Sequence, residues 1–269
     1  MENYGLFIDV GNTSVKIGIG VIDRLLISYT LSTNNSLSGD TLGIQLLQCI
    51  NHAEQVINKD ITISSCMMSS VVPTMDTLLQ YACERFLLCK PHIINQDFII
   101  PLDNHYEEQC EVGADRLVAA YAARRLFPDS KSVVSVDYGT ATTFDCVTDN
   151  TYLGGLICPG IKSSLQALYT NTAKLPSIIL NTASKVPIIG KNTKTSLTHG
   201  FLFGFATMTE GIYSKLINVL DGPVTFVATG GFARDMANVV CCFDAVCPDL
   251  ILDGLHLLWI DCLSKSYSL

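Results

Sequence analysis

The chain has 269 residues, 48% of them hydrophobic and 16% charged, with a mean hydropathy of +0.35; this excludes a disordered polymer and supplies apolar material for one large core or two smaller ones. A net charge of -8 and a pI near 5.0 argue against affinity built on neutralising nucleic-acid phosphates or anionic lipid, so a small soluble ligand is expected, with no nucleic acid and no membrane. Eleven cysteines without a CxxC pair, and a start lacking a basic segment and apolar run, read as a cytoplasmic chain kept reduced rather than a disulfide scaffold.

In chain order, Gly5 to Val10 is a short apolar run that ends in a Gly11-Asn12 turn, and runs at Val15 to Ile22 and Leu25 to Thr30 complete a three-stranded meander. A helix is expected from about Ser38 to Ile57, a strand at Ile61 to Cys66, a helix after Pro73 and a short strand at His92 to Asn95. The segment after Glu111-Val112-Gly113-Ala114-Asp115-Arg116 carries Val118, Tyr121, Ala122 and Leu126 at helical spacing. Then the design repeats. Val133 to Thr140 has the form of Gly5 to Asn12, with Asp137 standing 128 residues after Asp9, and runs at Thr142 to Val147 and Tyr152 to Ile157 make a second meander. A helix over Ser196 to Ile217, a strand at Val224 to Ala228, and Gly230-Gly231 opening another helix come next. The late run Leu250 to Ile260, broken by Asp253 and His256, is too short for a membrane span. Alternating strands and helices in two halves give an α/β fold, and Pro128-Asp129-Ser130 sets the boundary, with lobes at 1–127 and 128–269.

Gly200, Gly204 and Gly211 lie inside the expected helix over Ser196 to Ile217, where each glycine costs about 1 kcal/mol relative to alanine. Close packing against a neighbour accounts for them, first of all within the chain and otherwise across a dimer.

Asp9-Val10-Gly11-Asn12-Thr13-Ser14-Val15-Lys16 places an acid at the end of a buried strand, then a turn rich in donors, as ATP phosphates and the hydration shell of magnesium require. Taken alone, it is equally an ordinary turn, because Asp, Gly and Asn favour turns for local reasons. A second acidic turn, Asp137-Tyr138-Gly139-Thr140, makes a nucleotide held between two lobes the better reading, and no GxxxxGK[ST] or complete GxGxxG competes with it. Asp115 is either a first-turn acid favoured by the helix dipole or a base that takes a hydroxyl proton during attack on a γ-phosphate, with Arg116 binding an anionic group.

The paired turns resemble those of the actin-like (ribonuclease H-like) ATPases, two duplicated lobes gripping ATP across a cleft. More specifically, Asp-x-Gly-Asn-Thr-x-x-Lys-x-Gly at Asp9 to Gly18, Glu-Val-Gly-Ala-Asp-Arg at Glu111 to Arg116, Asp-x-Gly-Thr-Ala-Thr-Thr-x-Asp at Asp137 to Asp145 and Gly-Gly-x-Ile-x-Pro-Gly at Gly154 to Gly160 resemble the type III pantothenate kinases, in their order and over nearly the whole chain. The resemblance implies ATP-dependent phosphorylation of pantothenate to 4'-phosphopantothenate, the first step of coenzyme A synthesis. It implies Asp115 as proton acceptor, Asp9 to Lys16 and Thr140 as ATP contacts, and Asp137 as ligand of a monovalent cation, potassium or ammonium. Tyr106, Gly113, Ala114, Asp115, Arg116 and Thr193 would meet pantothenate, with Thr195 close enough to leave the register open. Thr193 is also a natural helix cap, and Ala228-Thr229-Gly230-Gly231 is either a nucleotide contact or a plain strand-to-helix turn. The resemblance further implies magnesium with the ATP and a homodimer. The chain departs from the pattern at Gln109, where a proline is usual, so the loop carrying Tyr106 is expected to be shaped differently. A kinase for another small hydroxyl or carboxylate acceptor, and a non-catalytic transcriptional accessory factor, are the alternative readings.

Overall fold

All seven residues of the strand Tyr4–Val10 (β1) are buried, a pattern that requires a layer on each face of its sheet. The computed structural model describes residues 3–172, 175, 176, 178, 180 and 189–266. β1 pairs antiparallel with β2 (Ser14–Val21), and β2 pairs in the same sense with β3 (Arg24–Ser32). On its other side β1 meets β4 (Ile63–Ser70) in parallel, and β5 (Pro91–Ile93) lies parallel beyond, giving the order β3-β2-β1-β4-β5. Parallel neighbours need crossovers, supplied here by α1 (Gly39–Ile57) and α2 (Pro73–Leu87).

Local chemistry sets the helix limits. Ser38 caps α1, its side chain accepting from the Thr41 amide at 3.2 Å, and Asn58 ends the helix in the left-handed region at φ 56°. The α1 residues Leu42, Leu46, Cys49, Ile50 and Ala53 form a buried stripe against Leu6, Ile8 and Val10, and each large side chain so buried contributes about 1.5–3 kcal/mol. Pro73 opens α2 at a position where its missing N–H costs nothing. The expected strand at Ile61 to Cys66 is in fact β4, which starts two residues later and runs on to Ser70.

The next elements are β6 (Asp103–Asn104), a 3-10 turn at Gln109–Glu111 and α3 (Ala114–Leu126). The second meander is β7 (Ser132–Tyr138), β8 (Ala141–Thr148) and β9 (Thr151–Pro159); after it come α4 (Ile161–Asn171), α5 (Thr193–Leu216), β10 (Val224–Thr229), α6 (Ala233–Met236), β11 (Ala245–Val246) and α7 (Leu250–Ser266). The second sheet has the order β11-β10-β7-β8-β9-β6, which reproduces the first strand for strand and adds β6 at one edge. The duplication read from the Asp9 and Asp137 strings is therefore a duplication of topology. No helix among the described residues is long and apolar enough to cross a membrane.

The chain divides into two units, but not by a single cut near residue 127. One unit comprises Met1–Pro101, Cys110–Ala122 and Ile251–Leu269; the other comprises Leu102–Gln109 and Ala123–Leu250. The tail belongs to the first unit because α7 is apolar around most of its circumference and needs cover. Leu252, Leu255, Leu258 and Trp259 are buried, the Trp259 ring lies against Gly5, and Gly254 lets α7 approach Val118 of α3 so closely that a Cβ there would lie 2.6 Å from Val118 Cγ1.

The same helix buries His256. Its Nε2–H donates to the Val21 carbonyl at 2.7 Å, and its ring meets Phe7 edge-on at 5.4 Å. Burial lowers the His256 pKa, an effect the Val21 hydrogen bond opposes. With the folded value depressed, only the unfolded chain takes up this proton just below the ordinary histidine pKa of about 6.5. This contribution to stability is present at neutral pH and lost as the pH falls from there through the folded value. The thermal midpoint, followed by scanning fluorimetry, should drop on acidification more steeply in the wild type than in His256→Gln; parallel profiles would contradict this role.

Candidate active site

Asp9 is the next-to-last residue of β1 and lies between two paired neighbours, Lys16 on β2 and Ser69 on β4. Beyond it the hairpin closes through the Gly11 amide, which donates to the Ser14 carbonyl at 2.9 Å, and Thr33 ties the turn down by donating to the Gly11 carbonyl at 2.6 Å. Asn12 and Thr13 are exposed at the tip. Ser69 Oγ is buried beside the Asp9 strand end with no hydrogen-bond partner among the described residues. Sequence reasoning missed Ser69 and Thr33. Ser69 was hidden because the expected strand stops at Cys66; run to Ser70, β4 puts a hydroxyl at the carboxyl edge of a parallel strand, where ligands of open α/β sheets bind.

Asp115 stands in the first turn of α3 in the first unit. Its Oδ1 accepts from the Arg116 amide at 2.8 Å and lies over Gly113, where a Cβ would come within 2.4 Å of it. Glycine is required by that close approach. Burial raises the Asp115 pKa, with the Arg116 amide and then the Arg116 charge opposing the shift. A half-desolvated carboxylate of raised basicity is what a general base needs. Gly113, Ala114, Asp115 and Arg116 are thus brought together as one corner.

In the second unit Asp137 is the next-to-last residue of β7, paired with Thr143 on β8 and Thr229 on β10. Gly230, at φ +88°, brings its α-carbon so near the carboxylate that a Cβ would fall 2.1 Å from Asp137 Oδ1. Gly160 does the same for the following turn, where a Cβ would lie 2.0 Å from the Thr140 carbonyl, and Ser163 donates to that carbonyl at 2.6 Å. The Gly139 amide closes the hairpin on the Ala141 carbonyl at 3.0 Å, leaving Thr140 exposed at its tip. The expected helix after Gly230-Gly231 is only α6, a single turn, so its dipole is too short to make an anion site and the glycines act by close approach.

The N-cap of α5 is Asn192, not a threonine: its side chain accepts from the Thr195 amide at 2.9 Å and the Thr195 hydroxyl at 3.0 Å. Thr195 is committed there, while Thr193 sits exposed at the first helical position. Tyr106 belongs to the second unit, its amide held by Asn104 Oδ1 at 3.0 Å. Gln109, standing where proline is usual, closes the Tyr106 loop by donating from Nε2 to the Asn104 carbonyl at 2.7 Å, a contact proline cannot make.

Gly230→Ala offers a test of the Asp137 corner. The added methyl and the forced positive φ introduce about 1–3 kcal/mol of strain beside the carboxylate. Phosphoryl-transfer turnover should fall by at least about tenfold with the circular dichroism spectrum retained; near-normal turnover would remove Gly230 from the site.

Residues 5–215 match the family model described as type III pantothenate kinase. A curated type III pantothenate kinase of Nitratidesulfovibrio vulgaris (strain DSM 19637 / Miyazaki F) is 54% identical, over 97% of this chain and 98% of its own. Among solved structures, a conserved candidate Baf family transcriptional activator from Campylobacter jejuni aligns with a TM-score of 0.55 at 20% identity, over 98% of this chain and 100% of that one. The activator of the 2-hydroxyisocaproyl-CoA dehydratase from Clostridium difficile, with bound ADPNP, aligns with a TM-score of 0.54 at 14% identity, over 100% of this chain and 97% of that one. At these identities the structural likenesses show the fold alone, and it is the actin-like ATPase fold expected from the repeated acidic turns. On the family match and the 54% identity, the chain belongs to the type III pantothenate kinase family.

Proposed function

We propose that this chain transfers the γ-phosphoryl group of ATP to the primary hydroxyl of pantothenate, with Asp115 as the base, giving 4'-phosphopantothenate and ADP at the entry to coenzyme A synthesis. The observation that carries the reading is the Asp115 carboxylate, set over Gly113 at a helix start and made more basic by burial. As the hydroxyl oxygen bonds to the γ-phosphorus, its proton passes to Asp115, and the bond to the β-γ bridging oxygen breaks. Little covalent work falls to the protein in such a loose transition state, so positioning and charge neutralisation dominate.

The residues assigned to the ATP phosphates are Asp9 to Lys16 and Thr140. The donor-rich tips at Asn12, Thr13 and Thr140 support this assignment. Magnesium is an ion that binds through one or two carboxylates plus substrate phosphates. Asp9 is the carboxylate for it. Asp137, whose flank Gly230 keeps clear of a side chain, suits the single charge of potassium or ammonium. Bound there, the cations would offset phosphate charge. Tyr106, Gly113, Ala114, Arg116 and Thr193 bind pantothenate, Arg116 pairing with its carboxylate.

The active form in this proposal is a homodimer in the cytoplasm, where the eleven free cysteines stay reduced. Gly200, Gly204 and Gly211 of α5 have nothing within 4 Å of an added Cβ among the described residues, so packing against those residues does not explain them. Gly200 and Gly204 line an apolar groove of about 410 Å³ with Leu197, Phe201, Phe205 and Met208, a surface suited to the same helix of a second copy. Gly204→Leu should convert the dimer to monomer by light scattering; an unchanged dimer would place the interface elsewhere.

A coupled ADP-release assay should show turnover that depends on pantothenate and increases with potassium; turnover with other acceptors but none with pantothenate would overturn the assignment. Asp115→Asn should reduce kcat by roughly 10²–10⁴-fold and spare ATP binding. Because burial raises its pKa, the acid limb of the wild-type kcat/KM profile should lie above the usual aspartate value of about 3.9, with activity lost as the pH falls through it. The same sign makes Asp115→Asn at least as heat-stable as wild type at neutral pH, since the substitution removes a poorly solvated charge.

A further inference from the structure

Asp145 is a carboxylate at 1% exposure that the proposed reaction leaves unused. Its Oδ1 accepts from the Tyr152 hydroxyl at 2.8 Å and its Oδ2 from the Thr143 hydroxyl at 3.2 Å. Burying a polar side chain is costly, and an apolar pair would fill the same space at lower cost, so its hydrogen bonds call for a use beyond packing. Tyr152, fully buried, leads outward from it. Its ring lies 6.4 Å from that of Tyr106, and Tyr106 rests over Gly154, where a Cβ would come within 3.4 Å of Tyr106 Cδ2.

The backbone arrives at the same point. Asn104 is paired in parallel with Tyr152, and the His105 amide donates to the Tyr152 carbonyl at 3.0 Å, so the residue before Tyr106 is fastened to the strand that carries the buried ring. Where that strand pairs with β8 the register slips between Cys146 and Val147 of β8, and Gly154 takes φ +108°, which makes room for the Tyr106 ring. Asn104 and Gln109 close the loop from the outer side. Every one of these contacts lies within the second unit, and they converge on one side chain.

We propose that Asp145 and Tyr152 are positioning residues of the acceptor site: the buried carboxylate holds the Tyr152 hydroxyl, and the Tyr152 ring and backbone hold Tyr106 where it meets pantothenate. The inference rests on the assignment of Tyr106 to the acceptor under the proposed function. Neither residue touches a substrate, so their loss acts on acceptor binding through Tyr106 and leaves ATP alone.

Steady-state kinetics on a double-mutant cycle tests this. Tyr152→Phe should raise the KM for pantothenate about tenfold, as a displaced positioning group does, with kcat and the KM for ATP within about twofold of wild type. Tyr106→Ala should raise the same KM, and Tyr152→Phe added to Tyr106→Ala should raise it no further. Asp145→Asn keeps an acceptor for the Tyr152 hydroxyl and guards against misfolding of the phenylalanine variant; it should raise the pantothenate KM about threefold and leave the KM for ATP unchanged. If Tyr106→Ala leaves the KM for pantothenate unchanged, the assignment of Tyr106 fails and takes the inference with it. If Tyr106→Ala is impaired while Tyr152→Phe and Asp145→Asn are normal, or the two effects add, or both substrates suffer equally, the inference fails alone.

Discussion

A carboxylate placed one residue before the end of a covered strand is the constraint on which the rest of this structure depends. β1 and β7 are each paired on both sides up to Asp9 and Asp137, so the backbone there is satisfied and the acids stand at the carboxyl edge of their sheets. Immediately after each acid the chain must reverse within a few residues without covering the carboxylate. Gly11 and Gly139 make those reversals, and Gly230 and Gly160 remove side chains that would otherwise collide with Asp137 or with the Thr140 carbonyl. The result in each unit is a carboxylate at a sheet edge beside an exposed turn, the arrangement on which the proposed phosphate contacts rest.

Stability is supplied elsewhere, and the two ionisable groups with opposite shifts mark the division. His256, fixed to Val21 under α7, is held neutral by burial and belongs to the core of the first unit. Asp115 is also desolvated, yet it sits at a helix start beside the Arg116 amide, and its raised pKa fits the base role proposed for it. Asp145 falls between the two: buried like a core residue, polar like a functional one, and linked to Tyr106 through a single buried ring.

Much of this was legible in the order of residues, for physical reasons. Strings such as Gly5 to Asn12 and Val133 to Thr140 show strand, acid and turn within eight residues, and a strand covered on both faces reads as continuous apolar chain. Ser38 and Pro73 announce their helices through local capping chemistry. The features that were not legible depend on contacts between distant residues. The cut at residue 127 misplaces the tail because nothing local to Leu250–Ser266 shows that it docks on β1 and α3. α6 stops after one turn although Gly230-Gly231 looks like a helix start, since tertiary context overrides propensity. Asp145 reads in the sequence only as the end of a motif; its meaning comes from Tyr152, which no spacing rule connects to Tyr106. The α5 glycines stand out in the sequence, but their open side exists only in the folded chain.

A crystal structure of the protein with magnesium and a non-hydrolysable ATP analogue is the most direct test. Phosphate oxygens should lie within hydrogen-bond distance of both the Asn12-Thr13 tip and Thr140, with Asp9 directed at the magnesium ion. An analogue bound with its phosphates against one turn while the other faces bulk water would contradict the paired-turn site.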